Sequence, residues 1–292
     1  MTKPAVALQP RPDLEYTPVA PGHVGDIARR LGLAERLFAQ AGVRRTLVLI
    51  ALAIIWELYA RYLDNPLMFP TFSETVVALW TDLVNGALPL AVLSSLKVLM
   101  VSYGLAIALA MLLTTLAVSS RVGTDILATL TAMFNPLPAI AILPLAMLWF
   151  GLGVQSLMLV IVHSVLWAVA LNTYSGFLSV SQTQRMAGRN YGLRGIRLVA
   201  KVLIPAAVPS ILAGLKIGWA FAWRTLIAAE LVFGVSGNSG GLGWYVFQHR
   251  NALETSNVFA GLLMVIIIGL VVEGLVFRSI EVLTVRRWGM QN

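Results

Sequence analysis

The sequence predicts an all-α protein that crosses a membrane about six times, and three observations lead there. Of its 292 residues, 58% are hydrophobic and only 12% are charged, about half the charge of an average soluble domain, which runs near 25%. The charge-poor stretches reach or exceed the roughly 20 residues a spanning helix needs, and the longest, Ile126 to Gln184, holds no Asp, Glu, Lys or Arg. Mean hydropathy is +0.82, more apolar surface than a water-soluble core of this size can hide. An ordinary cytosolic enzyme is excluded. The absence of cysteine removes disulfide frameworks, thiolate nucleophiles and thiolate metal sites. A net charge of +8 suits nucleic acid in a soluble protein, but here basic loops on one face of a membrane account for it, and no nucleic-acid partner is expected.

Residues 1–45 read as a polar tail carrying Pro4, Pro10, Pro12, Pro18 and Pro21. It is not a cleavable signal, which would place its apolar core within the first 15 to 30 residues or so. Residues 24–40 read either as a short amphipathic helix on the membrane surface or as a disordered tail. The transmembrane domain is expected over 46–287, with residues 288–292 as a short C-terminus. The first span, about 46–62, ends at Asp64, Asn65, Pro66 and Pro70, which break a helix. The second, 98–118, is bounded by Lys97 and Arg121. The uncharged stretch accommodates two more, at about 126–149 and 155–175, joined at Gly151, Gly153 and Gln155. Pro136, Pro138 and Pro144 should bend the third and give it curved walls around a cavity. The fifth, 209–232, carries Lys216, Arg224 and Glu230, and the sixth is 258–277. A glycine-rich loop with Gly234, Gly237, Gly240, Gly241 and Gly243 separates these two.

Six spans place both termini on one side. Setting the tail, the 119–125 loop, the 176–208 loop and the C-terminus in the cytoplasm gives that side sixteen basic residues and the other only Arg61, Lys97 and Arg250, so the positive-inside rule predicts cytoplasmic termini. No repeat of 20 to 50 residues is visible, and the inverted repeats of many secondary transporters gain no support.

The 176–208 segment has the pattern helix, turn, helix. Gly192 suits a helix C-terminus that needs a left-handed backbone. Arg194, Arg197 and Lys201 then recur at three and four residues along one solvated face of a second short helix, expected to end at Pro205. Taken alone this is a basic cytoplasmic hairpin, with anionic lipid headgroups as its simplest partner.

The spacing adds more. This segment resembles the coupling loop of ABC importer permeases, written E-A-A, three residues, G, nine residues, I, any residue, L-P. Met186-Ala187-Gly188 stands at the E-A-A position, Gly192 at the glycine, Val202 at the isoleucine and Ile204-Pro205 at the leucine-proline. Met186 replaces the family glutamate and Gly188 its second alanine. Four further segments, Asn135 to Gly151, Leu171 to Gly176, Ala222 to Leu231 and Gly241-Leu-Gly-Trp244, look like the nitrate, sulfonate and taurine group of these permeases, and the match covers roughly residues 66–287. The resemblance implies a type I (MetI-like) permease fold in a bacterial inner membrane. It also implies a coupling helix near 183–191 seated in a groove of a separate ATPase, with Met186, Ala187, Gly188, Arg189, Tyr191, Gly192, Arg194, Arg197 and Pro205 as the coupling residues. None of the four lysines is followed by Ser or Thr, so this chain has no P-loop. It is expected to be no enzyme and to hold no cofactor, with ATP and magnesium bound by two partner ATPase subunits. A second permease subunit, in the simplest case an identical chain, and a periplasmic or lipid-anchored solute-binding protein complete the implied assembly.

Ionisable groups within a span are costly and usually face a partner or water, which makes Arg224 and Glu230 candidates for the translocation path. Six residues apart, they lie about 600° apart around the helix and do not share a face. Arg224 suits an anionic solute such as a sulfonate, nitrate or carboxylate; Glu230, near the end of its span, also suits a structural pair. Trp219, Trp223 and Asn172 complete the path candidates, the two tryptophans equally suiting membrane packing. His163, alone in the fourth span, reads as a satisfied interior histidine. Gly237-Asn-Ser239-Gly-Gly241 matches the G-x-S-x-G nucleophile pattern, with His249 and Glu254 downstream, but that motif needs a preceding strand and here follows a transmembrane helix. An ion-coupled secondary transporter or channel is the alternative that composition leaves open.

Overall fold

The computed structural model describes residues 40–233 and 240–286, and every regular element among them is helical. Residues 1–39 of the tail, with all but the last residue of its amphipathic segment, residues 234–239 of the glycine-rich loop and residues 287–292 lie outside the described residues, while 41–45, expected in the tail, already belong to a helix. The chain divides into two compact units, one to Leu52 and one from Ala53. The packing below concerns the second.

Helix α1, Ala41–Leu63, carries the first span. Near its end Trp56 gathers Phe69, Phe72 and Phe259, with ring centroids 5.5 to 6.0 Å away, and its Nε1 donates to the Pro70 carbonyl at 3.0 Å. Glu57 pairs with Arg61 at 2.7 Å and accepts from the Ser73 N–H at 3.0 Å. It thus occupies the positive end of α2, Phe72–Val84. A reciprocal capping box between Thr71 and Glu74 starts that helix.

Helix α3, Ala87–Ser119, begins eleven residues before the expected 98 and contains Lys97 as an exposed residue rather than a boundary. Ser120 then accepts from the Gly123 N–H at 2.9 Å and starts α4, Arg121–Phe134. The third span, expected to bend at its prolines, is broken into two helices. After α4 the chain turns through Asn135 to Pro138, passes a 3₁₀ turn at Ala139–Ile142 and resumes as α5, Leu143–Phe150, with a bend of 85°. Pro136 and Pro138 supply no N–H; Asn135 is still helical, and the chain has left helical backbone by Pro138, which is extended. Pro144, in the first turn of α5, sits where no donor is required.

Helix α6, Val154–Ser179, is the most enclosed span and packs chiefly on α3 and α8. Its crossing with α8, Gly195–Val232, is made close by glycine. A Cβ on Gly176 would lie 2.6 Å from the Ser210 Cβ, and one on Gly214 would lie 2.7 Å from the Asn172 Cβ. Apolar burial gains little between helices in lipid, so such small-residue contacts carry the association. Between α6 and α8 lies the short α7, Gln182–Asn190. Pro205 does not end a helix: the backbone runs through it, with a π-helical turn at Val199–Leu203. The expected glycine-rich loop resolves in part into a further helix, α9, Leu242–Asn251. Last comes α10, Thr255–Val285. Among the described residues five helices are long and apolar enough to span a membrane, or up to six spans if the bent pair counts as one.

Candidate functional site: a basic hairpin and a cation-lined cavity

The hairpin at one end of the bundle is built by backbone chemistry. Ser181 caps α7, accepting from the Gln184 N–H at 3.3 Å. At the other end Leu193 N–H donates to Gly188 O at 3.0 Å and Gly192 N–H to Arg189 O at 2.9 Å, the paired bonds of a Schellman motif, with Gly192 left-handed at φ +76°. Gly188 is buried, and a Cβ there would lie 2.8 Å from Leu198 Cδ1 and 3.0 Å from Val202 Cγ2. The missing side chain at that position lets the turn lie close against the start of α8.

This fold leaves Met186 54% exposed and Tyr191 88% exposed at the tip. Ala187, Arg189, Arg194 and Arg197 are exposed beside them, while Pro205 is half-buried inside α8 and takes no part in the tip. Arg185 escaped the sequence reading. Its guanidinium donates to the Phe177 carbonyl, and its Nε to the Val180 carbonyl at 3.3 Å, so it satisfies the carbonyls that α6 leaves open at its C-terminus. Its place in the hairpin suggested only another surface cation.

Within the bundle the candidates separate. Arg224 is exposed on α8. Its Nε donates to Ala220 O of its own helix at 3.1 Å and its guanidinium lies 5.1 Å from the Phe221 ring centroid, and no ion pair holds it among the described residues. It borders two cavities of about 390 Å³ each. One lies between the break in the third span, α6 and α8, and is lined by Asn135, Leu137, Ile140, His163, Ser164 and Trp167, among others. The His163 ring nitrogens are enclosed, with the Phe134 backbone as a hydrogen-bond partner, and the ring stands edge-on to Phe134 and Trp167. The second cavity lies between α8 and α10, beside Lys216, Trp219, Trp223 and Glu273. Lys216 is paired to Glu281 at 2.7 Å. Trp219 and Trp223 stack at 6.4 Å and are more than nine-tenths buried, with Tyr103 and Phe277 against Trp219. They are core packing that shows only its edge to a cavity. Asn172 donates to Ala168 O at 2.8 Å and packs at the Gly214 crossing, and it lines neither cavity.

Glu230 takes the structural role that the sequence also allowed, not a place among the path candidates. It is 1% exposed and lines neither cavity. Ser95 Oγ lies 2.8 Å from both carboxylate oxygens and accepts from the Leu242 N–H at 2.8 Å, while the Gly243 N–H donates to Glu230 Oε2 at 2.8 Å. The carboxylate thus caps α9 from beneath, at the end where a helix favours negative charge. A Cβ on Gly241 would fall within the carboxylate itself, and one on Gly243 would lie 2.6 Å from the Glu230 Cβ and 2.7 Å from the Ile227 carbonyl. Those clashes explain the glycines of Gly241-Leu-Gly-Trp244. Nearby, Asp82 accepts from the Tyr245 hydroxyl and from Asn257 Nδ2 at 2.8 Å, tying α2, α9 and α10 together. Burial, and then the Asp82 carboxylate, push the Tyr245 hydroxyl well above its ordinary pKa. His249 and Glu254, the remaining members of the hydrolase pattern, hold each other at 2.5 Å.

Comparison with known proteins agrees with this arrangement. Residues 102–281 match the family described as the inner membrane component of binding-protein-dependent transport systems. A protein named as an ABC transporter permease in Methanocaldococcus jannaschii is 32% identical over 75% of this chain and 83% of its own length. The taurine transport system permease protein TauC of Escherichia coli is 29% identical over 84% of this chain and 90% of its own. The nitrate import permease protein NrtB of Synechocystis is 25% identical over 81% and 87%. With its multiple apolar helices, type I permease fold and Gly192-centred hairpin, the chain belongs to the inner-membrane permease subunits of binding-protein-dependent ABC importers, in the nitrate, sulfonate and taurine group.

Proposed function

We propose that this chain forms half of the path for a small anionic solute of the nitrate, taurine or sulfonate kind, delivered by a solute-binding protein and moved at the expense of ATP hydrolysed on a separate subunit. The observation that carries the reading is Arg224: a permanent cation within a span, exposed to two cavities and without a carboxylate partner among the described residues. A buried or lipid-facing arginine is expensive unless something negative meets it, and a passing oxyanion does so. The names of the relatives, taurine and nitrate transport among them, support the same class.

ATPase coupling falls to the hairpin. Met186 and Tyr191 present apolar anchors rimmed by Arg189, Arg194 and Arg197, the layout of a protein-docking patch with an apolar centre and charged edge. No acidic residue occurs from Ile126 to Ala229, so every charge on the hairpin is basic and the ATPase groove should carry the acidic partners. One set of spans encloses no path, so two copies are expected, with two ATPases and with both termini in the cytoplasm.

The test is purification of the tagged chain from its host in mild detergent, followed by an assay for ATP hydrolysis. An ATPase should be recovered in roughly equimolar amount and be lost when Gly192 is deleted or when Arg189 and Arg194 are changed to Glu. Recovery of the chain without an ATPase, under conditions that preserve other membrane complexes, contradicts the proposal.

A further inference from the structure

We infer that the cavity between the hairpin and the end of α3 binds the phosphate of an anionic glycerophospholipid, whose acyl chains lie along α3. The inference goes beyond the transport reading and does not depend on it, since it needs only a chain set in a membrane.

Arg185, Arg189 and Arg194 all line this cavity, and no Asp or Glu does. No ion pair among the described residues involves any of the three. Arg185 is half-buried and anchored, its Nε and Nη2 donating to the Val180 and Phe177 carbonyls, which leaves Nη1 for a ligand. The three come from both sides of the turn, Arg185 and Arg189 from α7 and Arg194 from the residue before α8. Like charges gathered on one cavity repel, and a phosphate offsets that repulsion by accepting from several guanidinium groups at once. The sequence assigned headgroup contact to the face of Arg194, Arg197 and Lys201, but Arg197 and Lys201 do not line the cavity.

The rest of the lining selects a lipid over a free phosphate or a nucleotide. Val118, Leu198, Val199 and Leu203 give the cavity an apolar wall, which a bare phosphate leaves wet. No aromatic ring lines it, so nothing there stacks on a base. Its volume of about 420 Å³ suits a glycerophosphate headgroup. The cavity also stands where spans stop, since α3 ends at Ser119 and α6 at Ser179, and Ser119 belongs to its lining. Back along α3 from Ser119, Leu116, Leu112, Leu109 and Leu105 recur at three and four residues and are 36 to 56% exposed, one apolar stripe on which acyl chains can lie. Head and tail of a single amphiphile thus find adjoining surfaces, as in other basic pockets between transmembrane helices that take acidic lipids. Bound there, the lipid would tie α7 to the end of α3.

The experiment uses Ser119→Cys in the full-length chain, purified with whatever subunits accompany it. Ser119 is exposed, its hydroxyl donates only to Thr115 O of its own helix at 2.7 Å, and the chain has no other thiol. The variant is placed in vesicles of phosphatidylcholine alone, or of phosphatidylcholine with an equal part of phosphatidylglycerol, and its modification by N-ethylmaleimide is timed. Leu152→Cys, in an exposed turn at the other end of α6, reports any general effect of surface charge. Phosphatidylglycerol should slow Ser119→Cys by about fivefold or more relative to Leu152→Cys. Inorganic phosphate added to the phosphatidylcholine vesicles should not slow it. Changing Arg189 and Arg194 together to Gln should remove most of the protection, at about fivefold in lipid affinity for each. If that pair does not fold, Arg194→Gln alone serves, with about a fivefold loss. Equal rates in the two vesicles, or protection unchanged in the arginine variants, would overturn the site. Equal protection by inorganic phosphate would assign it to free phosphate and overturn the lipid. Failure to recover an ATPase, with protection intact, contradicts the transport reading alone.

Discussion

Helix α8 begins in the hairpin and ends at Glu230, and its two ends are held by opposite means. At the Glu230 end a buried carboxylate, Ser95 and the first two N–H groups of α9 satisfy one another, and α3, α8 and α9 meet with no room for a Cβ at Gly241 or Gly243. At the hairpin end the turn is held by two backbone hydrogen bonds and one glycine-to-aliphatic contact, and its apolar tip stays open. Polar burial with every donor paired fixes one geometry, whereas a backbone-built turn with exposed anchors leaves its surface for a partner. Between them run 38 residues of helix, about 57 Å at 1.5 Å per residue, with Arg224 near the fixed end and the π-turn at Val199–Leu203 near the open one.

The comparison can be broken at its fixed end first. Glu230→Ala should have the largest effect, because it strands the Ser95 hydroxyl and the Gly243 N–H in a dry site at roughly 1–3 kcal/mol each. A marked loss of detergent-solubilised folded protein, read by size exclusion and thermal unfolding, is expected, with Glu230→Gln milder. Next, Gly243→Ala and Gly188→Val, one at each end, force a Cβ into occupied space and should each cost about 1–3 kcal/mol. Gly188→Val should also abolish ATPase recovery, which Gly243→Ala should spare in whatever fraction folds. Gly192→Ala places a side chain in left-handed backbone and should cost about 1 kcal/mol, with thermal unfolding as the readout.

Titration of the fixed end gives a smaller effect. The raised pKa of Tyr245 means that the folded state keeps its proton when the unfolded state has lost it. Its contribution to stability is therefore complete below the ordinary value of 10.0 and lost as pH rises above it. Unfolding temperature followed from pH 8 to 11 should fall less steeply in Tyr245→Phe than in the parent. Smallest of all is Tyr191→Ala. An exposed tip residue should change stability by less than about 0.5 kcal/mol, yet it should weaken ATPase recovery. A loss of stability there would mean that the tip packs within its own chain.

The two ends also differ in how far the sequence revealed them. Long apolar runs locate the spans because lipid thickness sets a length, and Gly192 was legible because a left-handed helix terminus asks for glycine. The angle of the third span was not, since Pro136 and Pro138 announce a bend without its size. Helix α2 had a local signal, Thr71 to Glu74 in capping-box spacing, within a segment whose apolar length is too short for a span. The role of Glu230 had none: its partner Ser95 is 135 residues away, and the glycines that admit it read as loop until α9 is folded against them. Arg185 was hidden in the same way, as a helix cap in the shape of a surface charge. Arg224 was legible because an unpaired charge is costly wherever the helix turns it.

The most direct test of the account uses the absence of cysteine from the chain. Tyr191→Cys places a single thiol at the hairpin tip, and Leu152→Cys places one in an exposed turn at the opposite end of α6. Both variants are treated in native membranes with a short bifunctional thiol-to-amine reagent and the products identified by mass spectrometry. The account predicts a Tyr191→Cys adduct to an ABC ATPase that ATP depletion or addition modulates, and no such adduct from Leu152→Cys. An ATPase adduct from Leu152→Cys, or none from Tyr191→Cys in membranes that retain the ATPase, would contradict it.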